Sequence, residues 1–111
     1  MDVLERIKQQ VTGASIVIYM KGTPQLPRCG YSNRAAQTLQ ACGVSFSYVD
    51  VLADAEIFHN LPRYANWPTF PQIYVNGELI GGCDIVVEMY QKGELQPLLE
   101  QAVNPTKPKT H

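Results

Sequence analysis

Apolar positions Val3, Leu4, Ile7 and Val11 recur at the interval of one helical face, so residues 2–12 are read as a first helix that Gly13 ends. The period then changes. Ser15-Ile16-Val17-Ile18-Tyr19-Met20 is apolar almost throughout and β-rich, the pattern of a central strand covered on both faces. Lys21-Gly22-Thr23-Pro24-Gln25-Leu26-Pro27-Arg28 carries two prolines and a glycine, which exclude regular structure, and this loop delivers the chain to Cys29. A helix is expected from Gly30 to Cys42, with Gly43 as its stop.

Residues 44–51 alternate aromatic and aliphatic positions with Ser and Asp, as a second strand does, and residues 54–61 fit a short helix before Pro62. Gln72-Ile73-Tyr74-Val75, then Asn76-Gly77, then Glu78-Leu79-Ile80 is a hairpin pattern, since the central pair of a tight hairpin turn needs positive φ. Gly81-Gly82 leads into Cys83-Asp84 and the periodic Ile85, Val86, Met89 and Tyr90, and a last helix is expected over residues 94–103. Met20, Met89 and Tyr90 fit core faces. The order joins a β-α-β unit to a β-β-α unit, an α/β chain whose four-stranded mixed sheet has helices on both faces, the thioredoxin-like arrangement. Residues 1–103 form one domain on this reading, and residues 104–111, with prolines, lysines and threonines but no apolar period, a disordered C-terminal tail.

With 111 residues and 45% hydrophobic content the chain can build one core without disulfide or metal staples. Its 9 basic and 10 acidic side chains nearly balance, which argues against nucleic acid or an anionic membrane as partner. No apolar run approaches the roughly 20 residues of a membrane span. The first residues read as amphipathic helix and not as a signal peptide, so a cytoplasmic protein is expected. Cys29, Cys42 and Cys83 are an odd number without framework spacing, as in a reducing compartment where a special thiol is reactive and not structural.

Cys29 opens a helix, where unpaired N–H groups and the dipole favour thiolate over thiol, and Lys21 and Arg28 add positive charge. The alternative, a small buried hydrophobe, fits poorly between a proline-containing loop and Gly30. Ser32 stands where a redox motif of the Cys-x-x-Cys kind has its second cysteine. Without that resolving thiol, oxidation of Cys29 must involve glutathione, another protein or a more distant cysteine. Cys42, at a helix end beside Gly43, is read as structural.

Four linked blocks carry a family resemblance: Lys21-Gly22-Thr23-Pro24 with Pro27-x-Cys29-Gly30-Tyr31-Ser32; Trp67-Pro68-Thr69-Phe70-Pro71-Gln72; Asn76-Gly77-Glu78; and Gly81-Gly82-Cys83-Asp84. From about residue 2 to 103 the chain resembles the bacterial single-domain monothiol glutaredoxins, whose active site reads Cys-Gly-Phe-Ser. The resemblance implies that Cys29 is both the reactive thiol and a ligand of a 2Fe-2S cluster. A second chain and glutathione supply the remaining thiolates. Such a cluster needs four thiolates; two copies of Cys29 and two glutathiones make a homodimer when the cluster is bound.

In the implied glutathione groove Lys21 meets a carboxylate, and Pro71 is a cis-proline that turns the Phe70 main chain toward the ligand. Gly81-Gly82 permits close approach, and Cys83 with Asp84 opens a helix that holds the γ-glutamyl end; a plain turn with an acidic first helical turn is the alternative there. Tyr31 replaces the family's Phe and adds a hydroxyl beside the cluster site. Where the family commonly places an arginine for the glycyl carboxylate, this chain has Phe58; Arg63 or His59 is a candidate substitute, and a surface-charge role for either is an equal alternative. Trp67 is expected partly buried near the groove, and Cys83 is a candidate disulfide partner of Cys29 without cluster.

The implied function is an iron-sulfur carrier that receives a cluster from assembly proteins and delivers it to acceptor proteins. The alternative is a glutathione-dependent oxidoreductase acting on protein-glutathione mixed disulfides. The carrier is favoured because residues 22–26 lengthen the loop before Pro27 relative to dithiol relatives. A third reading is a regulatory adaptor that senses iron through its cluster.

Overall fold

The structure, a computed structural model, describes residues 2–105, so residues 106–111 of the expected tail lie outside the described residues. Helix α1 (Val3–Thr12) is capped by Asp2, whose carboxylate accepts the Leu4 N–H at 2.7 Å, and strand β1 (Ile16–Met20) follows. All five β1 residues are buried because the strand lies inside the sheet, in the order β2-β1-β3-β4. Helix α2 (Gly30–Ala41) crosses to β2 (Ser47–Asp50), which pairs parallel to β1 with Val17 opposite Ser47. Strand β3 (Gln72–Val75) runs antiparallel on β1's other side, and β4 (Glu78–Gly81) completes the hairpin.

Asn76 (φ 51°) and Gly77 (φ 83°) form its turn, both at the positive φ that a tight hairpin needs and that these two residues tolerate. Helices α4 (Cys83–Gln91) and α5 (Leu95–Val103) pack with α2 on one face around Ile18, Met20, Leu39, Ile73, Val86 and Leu99. Helices α1 and α3 (Ala55–Ala65) cover the other face around Ile7, Val17, Tyr19, Ile57 and Leu61. The expected mixed sheet with helices on both faces is therefore found.

Three expectations need correction. Helix α3 does not stop before Pro62 but runs through it to Ala65. Proline removes one hydrogen bond, but Ile57 and Leu61 bury the helix on both sides of Phe58, and left-handed Asn66 closes it by donating to the Pro62 and Arg63 carbonyls. Strand β2 is half the expected length: an edge strand pairs only where β1 offers partners. Val44 and Phe46 instead pack on the core from the approaching segment, and Val51–Ala53 is a 3-10 turn. Tyr90 is 43% exposed. The buried stripe of α4 runs through Cys83 and Val86 to half-buried Met89 and leaves the phenol at the core margin, where its hydroxyl stays hydrated.

The hairpin turn gives a direct check. Gly77→Ala puts a Cβ where φ is strongly positive and 3.3 Å from the Thr12 methyl, so urea denaturation should show a loss of about 1 kcal/mol with the fold retained.

Candidate functional site

Strand β1 ends at Met20, and the loop after it folds back on itself. Arg28 N–H donates to the Lys21 carbonyl at 2.9 Å, Thr23 and Leu26 exchange backbone bonds, and Gly22 bridges to Pro27. Gly22 (φ 92°) is obligatory here, since a Cβ would stand 2.5 Å from the Leu26 carbonyl oxygen. Its N–H donates to Asp50 Oδ1 at 2.9 Å, and the same oxygen accepts the Leu52 N–H at the end of β2. The loop thereby sets Cys29, in extended conformation, as the N-cap of α2, with its carbonyl accepting the Asn33 N–H.

The Cys29 thiol is partly exposed and makes no close capping bond of its own. Even so, its pKa is held below the ordinary thiol value, chiefly by the Ser32 backbone N–H, then by the Tyr31 N–H and the Ser32 hydroxyl, with Lys21 a lesser contributor; partial burial opposes them. Hydrogen bonding at the helix start thus outweighs the charge that the sequence emphasised. Arg28 is exposed beside Leu26 and Pro27 and does not line the site. Ser32 is fully buried, and its Oγ accepts the Lys21 N–H at 3.0 Å.

One cleft of about 600 Å³ gathers all the expected residues: Lys21, Cys29, Tyr31, Phe70, Pro71, Cys83 and Asp84. The Phe70–Pro71 bond is cis. Gly82 caps α4 against it, with no room for a side chain beyond the Pro71 carbonyl at 3.0 Å. The first N–H groups of α4 therefore have no intrahelical acceptor and open beside Cys83 and Asp84. Trp67 also lines the cleft, half-buried, and its Nε1 is buried without a hydrogen-bond partner among the described residues. Tyr31 is 65% exposed at the rim.

Phe58 takes the wall where the sequence raised the loss of an arginine. Its ring lies 5.5 Å from that of Phe70, and Pro62, one turn on, lines the same side. Neither Arg63 nor His59 lines the cleft, and both are exposed. Cys83 lines it as a free, buried thiol whose pKa is raised by burial first and Asp84 second. Cys42 is buried in the core beside α5, its pKa likewise raised by burial.

Two residues with no role in the sequence reading hold the cleft together. Asp50 is one. Buried Gln72 is the other: its Nε2 donates to the Trp67 and Thr69 carbonyls at 3.1 and 3.3 Å, and its Oε1 accepts the Tyr74 hydroxyl at 3.0 Å. A glutamine opening an apolar β run was the available signal.

Comparison with known proteins adds a family. The glutaredoxin family model matches residues 16–80. Glutaredoxin 4 of Escherichia coli K12 is 57% identical over 98 residues, covering 88% of this chain and 85% of that protein. The holo form of glutaredoxin C1 from poplar (Populus tremula x tremuloides) superposes with a TM-score of 0.80 at 32% identity, over 97% of this chain and 94% of the other. A buckwheat glutaredoxin-glutathione complex superposes at 0.78 with 25% identity, over 89% of this chain and 88% of the other.

The site predicts its own pH behaviour. Cys29 has a native pKa below the unfolded value, so its thiolate adds stability that is complete above the free-thiol pKa of about 8.5 and is lost as pH falls through the native one. Iodoacetamide at neutral pH should label Cys29 first, read by peptide mass mapping, and leave Cys42 and Cys83 largely unmodified. Ser32→Ala should move the pH–rate midpoint of Cys29 upward and slow its neutral-pH alkylation about tenfold, the low end of what one hydrogen bond to a charged group contributes.

Proposed function

This chain belongs to the glutaredoxin family, and from that premise we propose that it holds a glutathione-ligated 2Fe-2S cluster at Cys29 and transfers it to acceptor proteins. The observation that carries this reading is the pairing of one activated, accessible thiol with a hydroxyl at Ser32. A thiolate of this kind binds soft metal well, and no second thiol lies in the motif to trap it as a local disulfide. Among the described residues no group of three or more Cys, His, Asp or Glu is arranged to hold a metal ion. On this reading the thiolates that complete a four-thiolate cluster beside Cys29 come from outside the chain. Two copies of Cys29 and two glutathiones supply them, and the assembled form is a homodimer.

The cleft fits glutathione in its chemistry. Lys21 pairs with a carboxylate, the Phe70 main chain before cis Pro71 pairs with the ligand backbone, and the α4 start at Cys83 and Asp84 receives the γ-glutamyl group. Support comes from the poplar relative, solved in a holo form, and the buckwheat relative, solved with glutathione. Tyr31 at the rim tunes the cluster's surroundings. Assembly proteins are the donors on this reading, and a reducing cytoplasm is the setting in which the three cysteines stay free. No helix among the described residues is long and apolar enough to cross a membrane.

The lowered Cys29 pKa also favours a second reading, reduction of protein-glutathione mixed disulfides. There the Cys29 thiolate attacks the glutathione sulfur, the protein thiolate leaves, and a second glutathione attacks the Cys29 adduct to release glutathione disulfide.

Anaerobic reconstitution with iron, sulfide and glutathione separates the two. The carrier reading expects visible absorbance and a dimeric mass, both abolished by Cys29→Ser and retained by Cys42→Ser. A colourless monomer that rapidly turns over a mixed-disulfide substrate supports the oxidoreductase instead.

A further inference from the structure

The walls of the cleft differ in chemistry. Lys21 and Asp84 are the charged side chains that line it among the described residues, and Lys21 is the one cation. The wall supplied by α3 carries no charge: Phe58 lies on the Phe70 ring with planes inclined by 38°, and Pro62 extends the apolar surface by one turn. His59 sets its ring edge-on to Phe58 at 5.4 Å, but it is exposed and outside the lining. Phe58 is held in place because it packs partly buried on the cluster of Ile57, Leu61 and Tyr74. The apolar wall is thus a fixed part of the cleft and is continuous with the space in front of Cys29.

A carboxylate laid against such a wall loses water and gains only what Lys21 offers, whereas an ester, amide or aliphatic group loses little and covers aromatic surface. We propose that Phe58, with Phe70 and Pro62, forms a subsite for an uncharged end group. The cleft then accepts γ-glutamyl-cysteinyl thiols with a neutral or apolar C-terminal residue at least as well as it accepts glutathione. The proposal rests on the reading of this cleft as a glutathione groove and makes Phe58 its specificity-determining residue.

A competition reads this directly. The protein is equilibrated with equal amounts of glutathione and its glycyl monoethyl ester, each with its disulfide. The Cys29 thiolate attacks a ligand disulfide, forms a mixed disulfide and releases one ligand thiolate. Both ligands present the same cysteinyl thiol, so the ratio of the two adducts, counted by intact mass, reports the non-covalent preference of the cleft. The ester adduct is expected to equal or exceed the glutathione adduct. Phe58→Arg should shift the ratio toward glutathione by about fivefold, the effect of one partly exposed ion pair, and Phe58→Leu should keep the wild-type ratio. An excess of glutathione adduct on the wild-type protein, or a ratio unmoved by arginine, overturns the proposal and leaves the groove reading standing. Formation of neither adduct on Cys29 removes both. If the arginine variant does not fold, the wild-type ratio decides alone.

Discussion

The placement of the Cys29 sulfur depends on one tertiary hydrogen bond, from the Lys21 N–H at the end of β1 to the buried Ser32 Oγ in the first turn of α2. It ties the exit of the central strand to the helix start that Cys29 caps. Ser32 acts twice, since its own N–H is the largest influence lowering the Cys29 pKa. A cysteine at this position would offer a much weaker acceptor to Lys21 and a sulfur able to close on Cys29. Serine gives the geometry without the disulfide, and this one choice makes the chemistry monothiol.

The loop from Lys21 to Arg28 has to be ordered for that bond to form. Ordering its backbone costs conformational entropy that its few hydrogen bonds do not offset alone. Pro24 and Pro27 lower the cost by restricting the unfolded chain, and the buried Gly22 lets the two arms touch. Asp50 matters for a different reason. Its carboxylate satisfies the Gly22 N–H, which would otherwise be buried unpaired at a penalty of about 1–3 kcal/mol. Gln72 does the same for the Trp67 and Thr69 carbonyls on the opposite side of the cleft. Both walls are held by polar side chains that lie outside the lining of the cleft.

What could be read from the residues follows the range of the interactions involved. The central strand, the Asn76-Gly77 turn and the helix opened by Cys29 are decided within a few neighbours and were all legible. The passage of α3 through Pro62 was not, because it turns on Leu61 meeting a core built from α1 and β1. The short β2 depends on how far β1 extends. In the site, the residues that gather in the cleft were recognisable by motif, whereas Asp50 acts across 28 residues of separation that no local pattern encodes and Gln72 shows only as a polar residue opening an apolar strand. The order of influences on Cys29 was also out of reach: Arg28 is adjacent in sequence yet outside the cleft, and backbone N–H groups carry no signature in side-chain identity.

Two thiols share the cleft and are driven in opposite directions. Cys29 sits where N–H groups converge, so its charged form is favoured; Cys83 is buried, lies beside Asp84 and feels Cys29 itself, so its neutral form is favoured. The first adds to the second, because a thiolate on Cys29 raises the cost of a second negative charge in the same space. Arg34 works against this but is outweighed by burial and Asp84. The cleft therefore favours the thiolate at Cys29 over Cys83, although two sulfurs face it. If a soft metal centre is held here as proposed, a thiolate from Cys83 would cost its deprotonation beside Asp84, whereas a thiol on a small ligand would meet Lys21 and the start of α4. On the proposed reading, the same electrostatics that favours the Cys29 thiolate leaves the remaining thiolates to be supplied by ligands and a second chain.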